Sequence, residues 1–442
     1  MSEHFDLLLA GGQVFTPGGL VEADIGIRDG KVAAIGALGG ASSAERLDLK
    51  GLVALPGVID TQVHFREPGL EHKEDLESGT RAAVLGGVTA IFEMPNTKPA
   101  TLTAADLAAK LRLGVGRTWC DHAFFMGAAD ENAAELGRLE LLPGCAGVKV
   151  FMGSSTGSLL VEDDELLLEV LRNGRRRVAI HAEDEPRLRE RLPLAREGGP
   201  KQHPVWRDAE TARKATERVL RLARQAGRRV HILHVTTADE VPLIAAAHDL
   251  VTMEVTPQHL TLAAPECYER LGTLAQMNPP IREARHRAAL WAAVASGQVD
   301  VIGSDHAPHT LEEKGKAYPA TPSGMPGVQT LLPLLLDHMN AGRLSLARLV
   351  DLTSAGAQRI YNIAGKGRLV PGYDGDVTVV DLKAQRSIEK AWLASKCGWS
   401  PFEGMSVTGW PKATIIRGQV VMREDELTGP PAGQPVRFLE TF

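Results

Sequence analysis

Eight apolar, strand-like segments alternate with helix-like segments through the middle of this chain, and this alternation restricts the fold more than any other feature. In order, the segments are LVALPGVID, VTAIFEMP, HAFFMG, AGVKVFMG, RVAIHAED, RVHILHVTT, VTMEVTPQHL and VDVIGSDHAPH. Their continuous apolarity is typical of strands that are buried on both faces, as in a parallel sheet. We therefore predict an α/β fold in which residues 55–365 form a (β/α)8 barrel of the TIM type, with its functional side chains at the carboxyl ends of the strands.

The two ends of the chain are rich in strand patterns but too short to build separate cores. DLLLAGGQVF and ADIGIRDGKVAAIG lie near the N-terminus, and GDVTVVDL and KATIIRGQVVM lie near the C-terminus. A chain of 442 residues also exceeds the length at which a single core usually stops growing. We therefore predict that residues 1–54 and 366–442 pair into one small composite β domain.

Charge and hydropathy exclude several classes of function. The formal net charge is −6, which offers no electrostatic attraction for nucleic acid or an anionic membrane. No run of about 18 apolar residues is present, and MSEHFDLLLAGGQ lacks the basic and apolar regions of a secretory leader. We expect a cytoplasmic protein that acts on a small molecule and binds neither nucleic acid nor membrane.

Potential metal ligands stand at or near the ends of five of the apolar segments. They are His64, Lys149, His181, His234 and Asp305. A single histidine is more often a core or surface residue than a ligand, so the prediction depends on the shared position of the set. The carboxyl ends of barrel strands meet at one mouth, and imidazole and carboxylate suit zinc and its first-row neighbours.

Lys149 needs a separate argument, because an ammonium group repels cations. A lysine at a strand end can simply extend its charged tip to water. A buried lysine, however, loses its proton readily, since desolvation disfavours the charged form. The neutral amine can then add carbon dioxide to give a carbamate, whose two oxygens can bridge two metal ions. We predict that Lys149 is N6-carboxylated and bridges the metals.

These segments together carry a resemblance to a known family. DTQVHFREPG, EMPN, GVKVFMG, IHAED, ILHVTT, MNPPIR and SDHAPH, with SPFEGM and IIRGQVV near the C-terminus, resemble the amidohydrolase superfamily and, within it, the dihydroorotases. The resemblance implies a β/α barrel, a small composite β domain and one or two zinc ions. It also implies reversible ring closure of N-carbamoyl-aspartate to dihydroorotate in pyrimidine biosynthesis.

The same resemblance implies roles for individual residues. Asp305 is the catalytic residue as well as a ligand: it takes a proton from water and returns it to the departing ring nitrogen. The residues that it assigns to the substrate carboxylate are Arg66, Asn96 and His309, and those that it assigns to the ring are Asn278, Ser323 and Gly324. A guanidinium grips a carboxylate through two parallel hydrogen bonds. The alternative for Arg66 is a surface ion pair with Glu67 or Glu71.

Gln62 departs from the family pattern. Relatives read Asp-x-His-x-His at the first strand, whereas this chain reads Asp60-Thr61-Gln62-Val63-His64. Gln62 is therefore a further ligand candidate, but an amide oxygen binds zinc more weakly than imidazole. One of the two ions is expected to be loosely held, differently coordinated or missing.

Two further functions stay open at this stage. A hydantoinase-like or dihydropyrimidinase-like cyclic amidohydrolase is favoured by the context of Lys149 and disfavoured by Arg66 and His309. A catalytically inactive partner of a carbamoyltransferase is suggested by Gln62, although the remaining ligand candidates are in place. We expect a homodimer in either enzymatic case, since barrels of this size often pair.

Overall fold

The computed structural model describes residues 4–154 and 159–441. Within these residues the strands are β1 His4–Thr16, β2 Gly19–Arg28, β3 Lys31–Gly36, β4 Ser42–Asp48, β5 Val53–Pro56, β6 Val58–Val63, β7 Val88–Glu93, β8 Asp121–Gly127, β9 Cys145–Phe151, β10 Val178–His181, β11 Val230–Ile232, β12 Val251–Val255, β13 Val301–Ile302, β14 Val377–Ser387, β15 Ser406–Ile416, β16 Gln419–Arg423 and β17 Glu426–Leu427.

Helices connect most of the strands. They are α1 Leu76–Leu85, α2 Ala104–Gly114, α3 Leu136–Leu139, α4 Asp164–Arg172, α5 Glu185–Arg191, α6 His203–Trp206, α7 Ala209–Ala226, α8 Glu240–Ala245, α9 Pro257–Thr261, α10 Glu266–Leu271, α11 Ala284–Ala295, α12 Leu311–Lys314, α13 Leu331–Asn340, α14 Leu346–Val350 and α15 Gly356–Tyr361. In the part of the chain that the structure describes, no helix combines the length and the apolarity needed to cross a bilayer.

Strands β6 to β13 form the predicted barrel. Each strand pairs in parallel with the next one along the chain, from β6 to β13. The ring closes where Val63 bridges His306 in parallel and the His64 amide donates to the His306 carbonyl at 2.7 Å. Every residue of these eight strands is buried, as the continuous apolar segments predicted. The predicted fold class is confirmed.

The segment LVALPGVID serves two different sheets. Its first half is β5, which pairs with β1 and β14 in the small sheet, and its second half begins β6 of the barrel. Gly57 separates the two strands, and a Cβ at this position would lie 2.3 Å from Oγ1 of Thr89. Only glycine therefore lets the chain pass from one sheet to the other so close to β7.

The small sheet combines both ends of the chain. Its strand order is β17-β16-β15-β14-β5-β1-β2-β3, and β4 pairs in parallel with β1. Apolar side chains from β1, β2, β14 and β15 form one buried cluster, which includes Leu9, Ile25, Val379 and Ile415. The strands of the two chain ends thus bury a common core that neither end encloses alone.

The last residues of the chain return to the barrel. His122, at the start of β8, donates its amide to the carbonyl of Gln434 and accepts from the amide of Val436. The Phe438 ring lies 5.6 Å from the Phe92 ring, centroid to centroid, inside the barrel cluster. This tail covers the amino end of β8, so the opposite, carboxyl-terminal mouth is the one available for a site.

A buried charge cluster lies at the same amino-terminal end. Carboxylates of Asp121, Asp374 and Asp376 lie within 4.8 Å of one another, a spacing that could hold a metal ion. The Lys366 ammonium instead occupies their centre, at 2.5 Å from Asp121 and Asp376 and 3.0 Å from Asp374. This cluster is therefore an ion network that joins the barrel to the small sheet and is separate from the predicted metal centre.

Candidate metal centre and substrate site

The carboxyl ends of the barrel strands bring most of the predicted site residues around one cavity. Its lining residues are Gln62, His64, Lys149, Phe151, His181, His234, Asn278, Asp305, Ala307, Ser323 and Gly324. All six predicted ligand positions and the three predicted ring-binding positions are in this set. Arg66, Asn96 and His309 lie beside the cavity and contact residues near its wall.

His181 is oriented by a carboxylate that the sequence reasoning missed. Its Nε2 lies 2.9 Å from Oε2 of Glu183, and its Nδ1 lies 3.1 Å from Nε2 of His234. Arg207 holds the same carboxylate at 2.5 Å. Burial opposes ionisation of Glu183, but the Arg207 charge and His181 lower its pKa below the ordinary value. A carboxylate that accepts one ring N–H fixes the other nitrogen as a metal donor, and here that nitrogen is Nδ1.

His64 is oriented in the same way by an amide. Its Nδ1 donates to Oδ1 of Asn96 at 2.8 Å, and its Nε2 lies 3.2 Å from Oδ1 of Asp305. Asn96, predicted to bind substrate, thus contacts a predicted ligand. Burial lowers the pKa of His64, His181 and His234 below the ordinary value, so these rings are neutral, the form that binds metals.

Gln62 points its amide group into the cavity. Its Nε2 donates to Oδ1 of Asp305 at 3.1 Å, and its Oε1 is buried with no hydrogen-bond partner among the described residues. Because a carboxylate only accepts, the amide nitrogen must face Asp305 and the oxygen must face away. The unpaired amide oxygen is a neutral ligand that could coordinate a cation.

Lys149 is buried at the carboxyl end of β9. Its Nζ has no hydrogen-bond partner in the described part of the chain and lies 4.2 Å from the centroid of the Phe151 ring. Burial lowers the pKa of the amine to about 7, against the opposing charges of Asp305 and Glu254. Unpaired buried polar atoms at Gln62 and Lys149, beside three histidines and an aspartate, form a ligand set that fits one or two divalent cations.

Backbone strain marks the same mouth. Eight non-glycine residues in the described ranges have positive φ, and three of them belong to the predicted site. These are Arg66 at 66°, His234 at 37° and Asp305 at 45°. Left-handed backbone costs free energy for residues with a Cβ and is concentrated at functional sites. The strain supports the location of the site independently of the side-chain chemistry.

Arg66 lies against His309, and we call these two residues, both predicted to bind the substrate carboxylate, the carboxylate clamp. Its Nε donates to the Pro308 carbonyl at 3.1 Å, and its Nη2 lies 3.3 Å from Nε2 of His309. Burial lowers the pKa of Arg66 only to about 10, so the guanidinium stays charged at neutral pH. The alternative ion partners are otherwise engaged, since Glu67 pairs with Arg117 and Glu71 accepts from the Gly69 amide.

A closely packed loop forms the wall opposite the strands. The Gly324 amide donates to the Gln276 carbonyl at 2.9 Å, and Gln276 Nε2 donates to Oγ of Ser323 at 3.0 Å. A Cβ at Gly324 would lie 2.4 Å from the Ala307 carbonyl oxygen, so only glycine allows this approach. Asn278 contacts His203 at 2.9 Å, a second residue that sequence reasoning missed.

Comparisons with known proteins identify the family of this chain. The family described as "Amidohydrolase family" matches residues 53–421. Dihydroorotases of Methanothermobacter thermautotrophicus and Pyrococcus furiosus are each 36% identical to the chain, covering 91% and 94% of it and 92% of each relative. An allantoinase of Rubrobacter xylanophilus is 36% identical and covers 98% of this chain and of its own. The solved L-hydantoinase of Arthrobacter aurescens superposes with a TM-score of 0.93 at 31% identity, covering 98% of this chain and 99% of that one.

Proposed function

The chain belongs to the amidohydrolase family, and from this premise we propose that it is a dihydroorotase. It closes N-carbamoyl-L-aspartate to (S)-dihydroorotate and reopens that ring, in pyrimidine biosynthesis. The predicted enzyme class, a cyclic amidohydrolase, is confirmed by the family match and the relatives. The observation that carries the choice of substrate is Arg66, a buried cation that lies against His309 beside the cavity. Dihydroorotate differs from uncharged rings by a carboxylate that such a cation binds.

The cofactor in this proposal is zinc, as one or two ions. We assign its ligands to His64, Lys149 as the N6-carboxylated form, His181, His234, Asp305 and Gln62. Carboxylation joins the neutral Lys149 amine to carbon dioxide and releases one proton. When bound, zinc activates water and polarises the amide carbonyl under attack.

Asp305 moves the proton in this mechanism. Its Oδ1 already faces Nε2 of His64 and Nε2 of Gln62, at 3.2 and 3.1 Å. We therefore assign proton transfer to Oδ2, which takes a proton from the attacking water and gives it to the departing ring nitrogen. In ring closure the same atom runs the two transfers in reverse.

The ring and its substituent are held from two sides. Arg66 and His309 bind the carboxylate, whereas Asn278 and the Ser323–Gly324 backbone bind the ring. Asn96 fixes Nδ1 of His64, and we assign it to the substrate carboxylate as well. A Cβ at Gly324 would collide with the Ala307 carbonyl, so the close packing of this loop against the mouth of the barrel depends on glycine.

A hydantoinase-like activity is the second candidate. The likeness to the L-hydantoinase over 98% of the chain favours it. The same metal centre could act on different cyclic amides, so the metal ligands alone do not choose the substrate. The zinc-loaded enzyme should be assayed in parallel on dihydroorotate, dihydrouracil, hydantoin and allantoin. We expect dihydroorotate to have the highest kcat/KM. A preference for an uncharged ring would support the second candidate, and turnover of none would support an inactive partner.

We also propose that the enzyme is a cytoplasmic homodimer. A carbamoyltransferase of the same pathway is a second proposed partner. Sedimentation of the purified chain, alone and mixed with that carbamoyltransferase, tests the homodimer and the complex between the two proteins. A monomer in the presence of zinc would contradict the dimer.

A further inference from the structure

Lys73 contacts the histidine of the proposed carboxylate clamp from the side away from Arg66. Its Nζ lies 3.1 Å from Nδ1 of His309 and 3.0 Å from Oε1 of Glu313. Only 12% of the Lys73 side chain is exposed. Nothing in the sequence pattern singled out this residue, which lies between β6 and α1. The clamp histidine is thus bordered by two cations.

The contacts determine the tautomer of His309. The Lys73 ammonium can only donate, so Nδ1 of His309 must accept. The Ser323 carbonyl, 3.0 Å from Nε2, can only accept, so Nε2 must carry the hydrogen. Glu313 lies 3.6 Å from Nδ1, beyond hydrogen-bond distance. Burial and the Arg66 charge lower the pKa of His309 to about 3, which agrees with a neutral ring.

This tautomer determines which hydrogen bonds Arg66 can form. Nη2 of Arg66 lies 3.3 Å from Nε2 of His309, and both atoms then carry hydrogens. They therefore cannot satisfy each other: the single Nε2 hydrogen of His309 is directed to the Ser323 carbonyl, and the Nη2 hydrogens of Arg66 stay available for another acceptor. A carboxylate is an acceptor with two oxygens, and the guanidinium of an arginine is its strongest hydrogen-bonding match.

The charges around His309 favour an anion as well. Arg66 and Lys73 contact His309 and contribute two positive charges, the buried Lys314 adds a further cation that acts on the ring, and Glu313, which pairs with Lys73, contributes one negative charge. A ligand carboxylate would balance the remaining charge in a site with little access to water. A neutral ring would leave Arg66 without a charged partner there.

We propose that Lys73 is a specificity-determining residue, which fixes the Nε2–H tautomer of His309 and adds the second positive charge that selects a carboxylate-bearing ring. This inference rests on the proposed dihydroorotase function. The competing explanation is structural: Lys73 would only hold α12 through Glu313. The two explanations differ in what they predict for charged and uncharged substrates.

The test uses three substitutions at one position. Lys73→Gln keeps an N–H that can donate to His309 but removes the charge, Lys73→Met removes both, and Lys73→Arg keeps both. We expect KM for dihydroorotate to rise about tenfold in Lys73→Gln, by more in Lys73→Met, and by less than about threefold in Lys73→Arg. The kcat for dihydroorotate and the residual hydrolysis of dihydrouracil should change by less than about twofold.

Two further measurements exclude a purely structural effect. Lys412→Gln is the matched control, because Lys412 pairs with Glu424 at 2.7 Å on the small sheet, and it should leave all constants unchanged. Nitrogen-15 NMR of labelled histidine, with His309→Asn to assign the signal, should report Nε2–H for wild type and Lys73→Gln but a mixed state for Lys73→Met.

The outcomes separate this inference from the proposed function. If the wild type opens dihydroorotate but the Lys73 variants keep its KM, or lose activity on charged and uncharged rings alike, only the role of Lys73 is overturned. If the wild type fails to open dihydroorotate while it opens an uncharged ring, the proposed function falls and this inference falls with it. Loss of folding in Lys73→Met leaves Lys73→Gln and Lys73→Arg to decide the question.

Discussion

Gln62 and Asp305 are joined by a hydrogen bond, with Nε2 of the amide 3.1 Å from Oδ1 of the carboxylate. The amide stands where the family resemblance implies a histidine, so one proposed ligand position at the mouth of the barrel is occupied by a group that also contacts the aspartate proposed to be catalytic. An imidazole there would offer a nitrogen ligand, whereas the amide offers one neutral oxygen.

Replacing Gln62 by histidine should tighten one zinc ion. We expect a gain of about tenfold or more in affinity, since imidazole is the better zinc ligand at such a position. Zinc per chain, measured by elemental analysis after dialysis against a chelator, reports the change. Gln62→Leu is the control of similar size and should lower the zinc content. Equal zinc contents in all three proteins would show that this position does not face the metal.

Removal of the Glu183 carboxylate should weaken metal binding at His181. Glu183→Gln keeps the size of the side chain but loses the charge that fixes the ring, so zinc affinity should fall by about 10- to 100-fold. Competition with a chromophoric chelator measures this affinity. Glu162→Gln, at an exposed ion pair with Arg189, is the control and should behave as wild type. Unchanged affinity in Glu183→Gln would rule out its orienting role.

Arg66→Met should impair binding of the substrate carboxylate without disturbing the metal. We expect KM for dihydroorotate to rise about 100-fold, because a buried charge-assisted contact is lost, and zinc content to stay the same. Steady-state kinetics on dihydroorotate and dihydrouracil compare the charged and the uncharged ring. An equal loss for both rings would indicate that the arginine supports the backbone instead.

Lys366→Met should destabilise the junction between the barrel and the small sheet. The substitution leaves three buried carboxylates without their central cation, and breaking a buried ion network of this kind costs about 3–5 kcal/mol. Urea unfolding measures the change in the free energy of unfolding. Lys383→Met, at a largely exposed position of the small sheet, is the control. A loss below about 1 kcal/mol would mean that the cluster reorganises.

Asp208 should contribute to stability in a pH-dependent way. Burial opposes its ionisation, but a bidentate pair with Arg187 and bonds from Thr211 lower its pKa from 3.8 to about 2. Because the pKa of Asp208 is lower in the folded state, its ionised carboxylate stabilises the protein at pH values above 3.8. This contribution to the free energy of unfolding is lost as the pH falls from 3.8 to about 2. Asp208→Asn should therefore flatten the fall of Tm over that window. Parallel Tm curves for the two proteins would contradict the prediction.

Repeating local patterns made the barrel predictable. Each strand is buried on both faces, so its sequence is apolar throughout, and the polar residues that follow it mark its carboxyl end. The sequence alone therefore places His64, His181, His234 and Asp305 near one mouth. Their roles as ligands stay predictions, since they depend on bound metal.

The residues that hold these side chains were not predictable in the same way. Glu183, His203 and Lys73 carry no periodic signal, and their partners are distant in the sequence or identifiable only from side-chain geometry. The sharing of LVALPGVID between two sheets was hidden too, because both halves are equally apolar. The position of Glu183, two residues after His181, was visible in the sequence. Acidic residues are common after strands, so this position alone did not indicate a contact with the histidine.

The sequence by itself determined the class of fold, the order of the strands and the chemical types of donor at the strand ends, because these follow from local periodicity and residue chemistry. Only the tertiary structure decided which ring nitrogen of His181, His64 and His309 carries the hydrogen. Hydrogen-bond partners make that choice: Glu183 for His181, Asn96 for His64, and Lys73 together with the Ser323 carbonyl for His309. A ring tautomer depends on contacts of about 3 Å, and such contacts exist only after folding has brought the chain segments together.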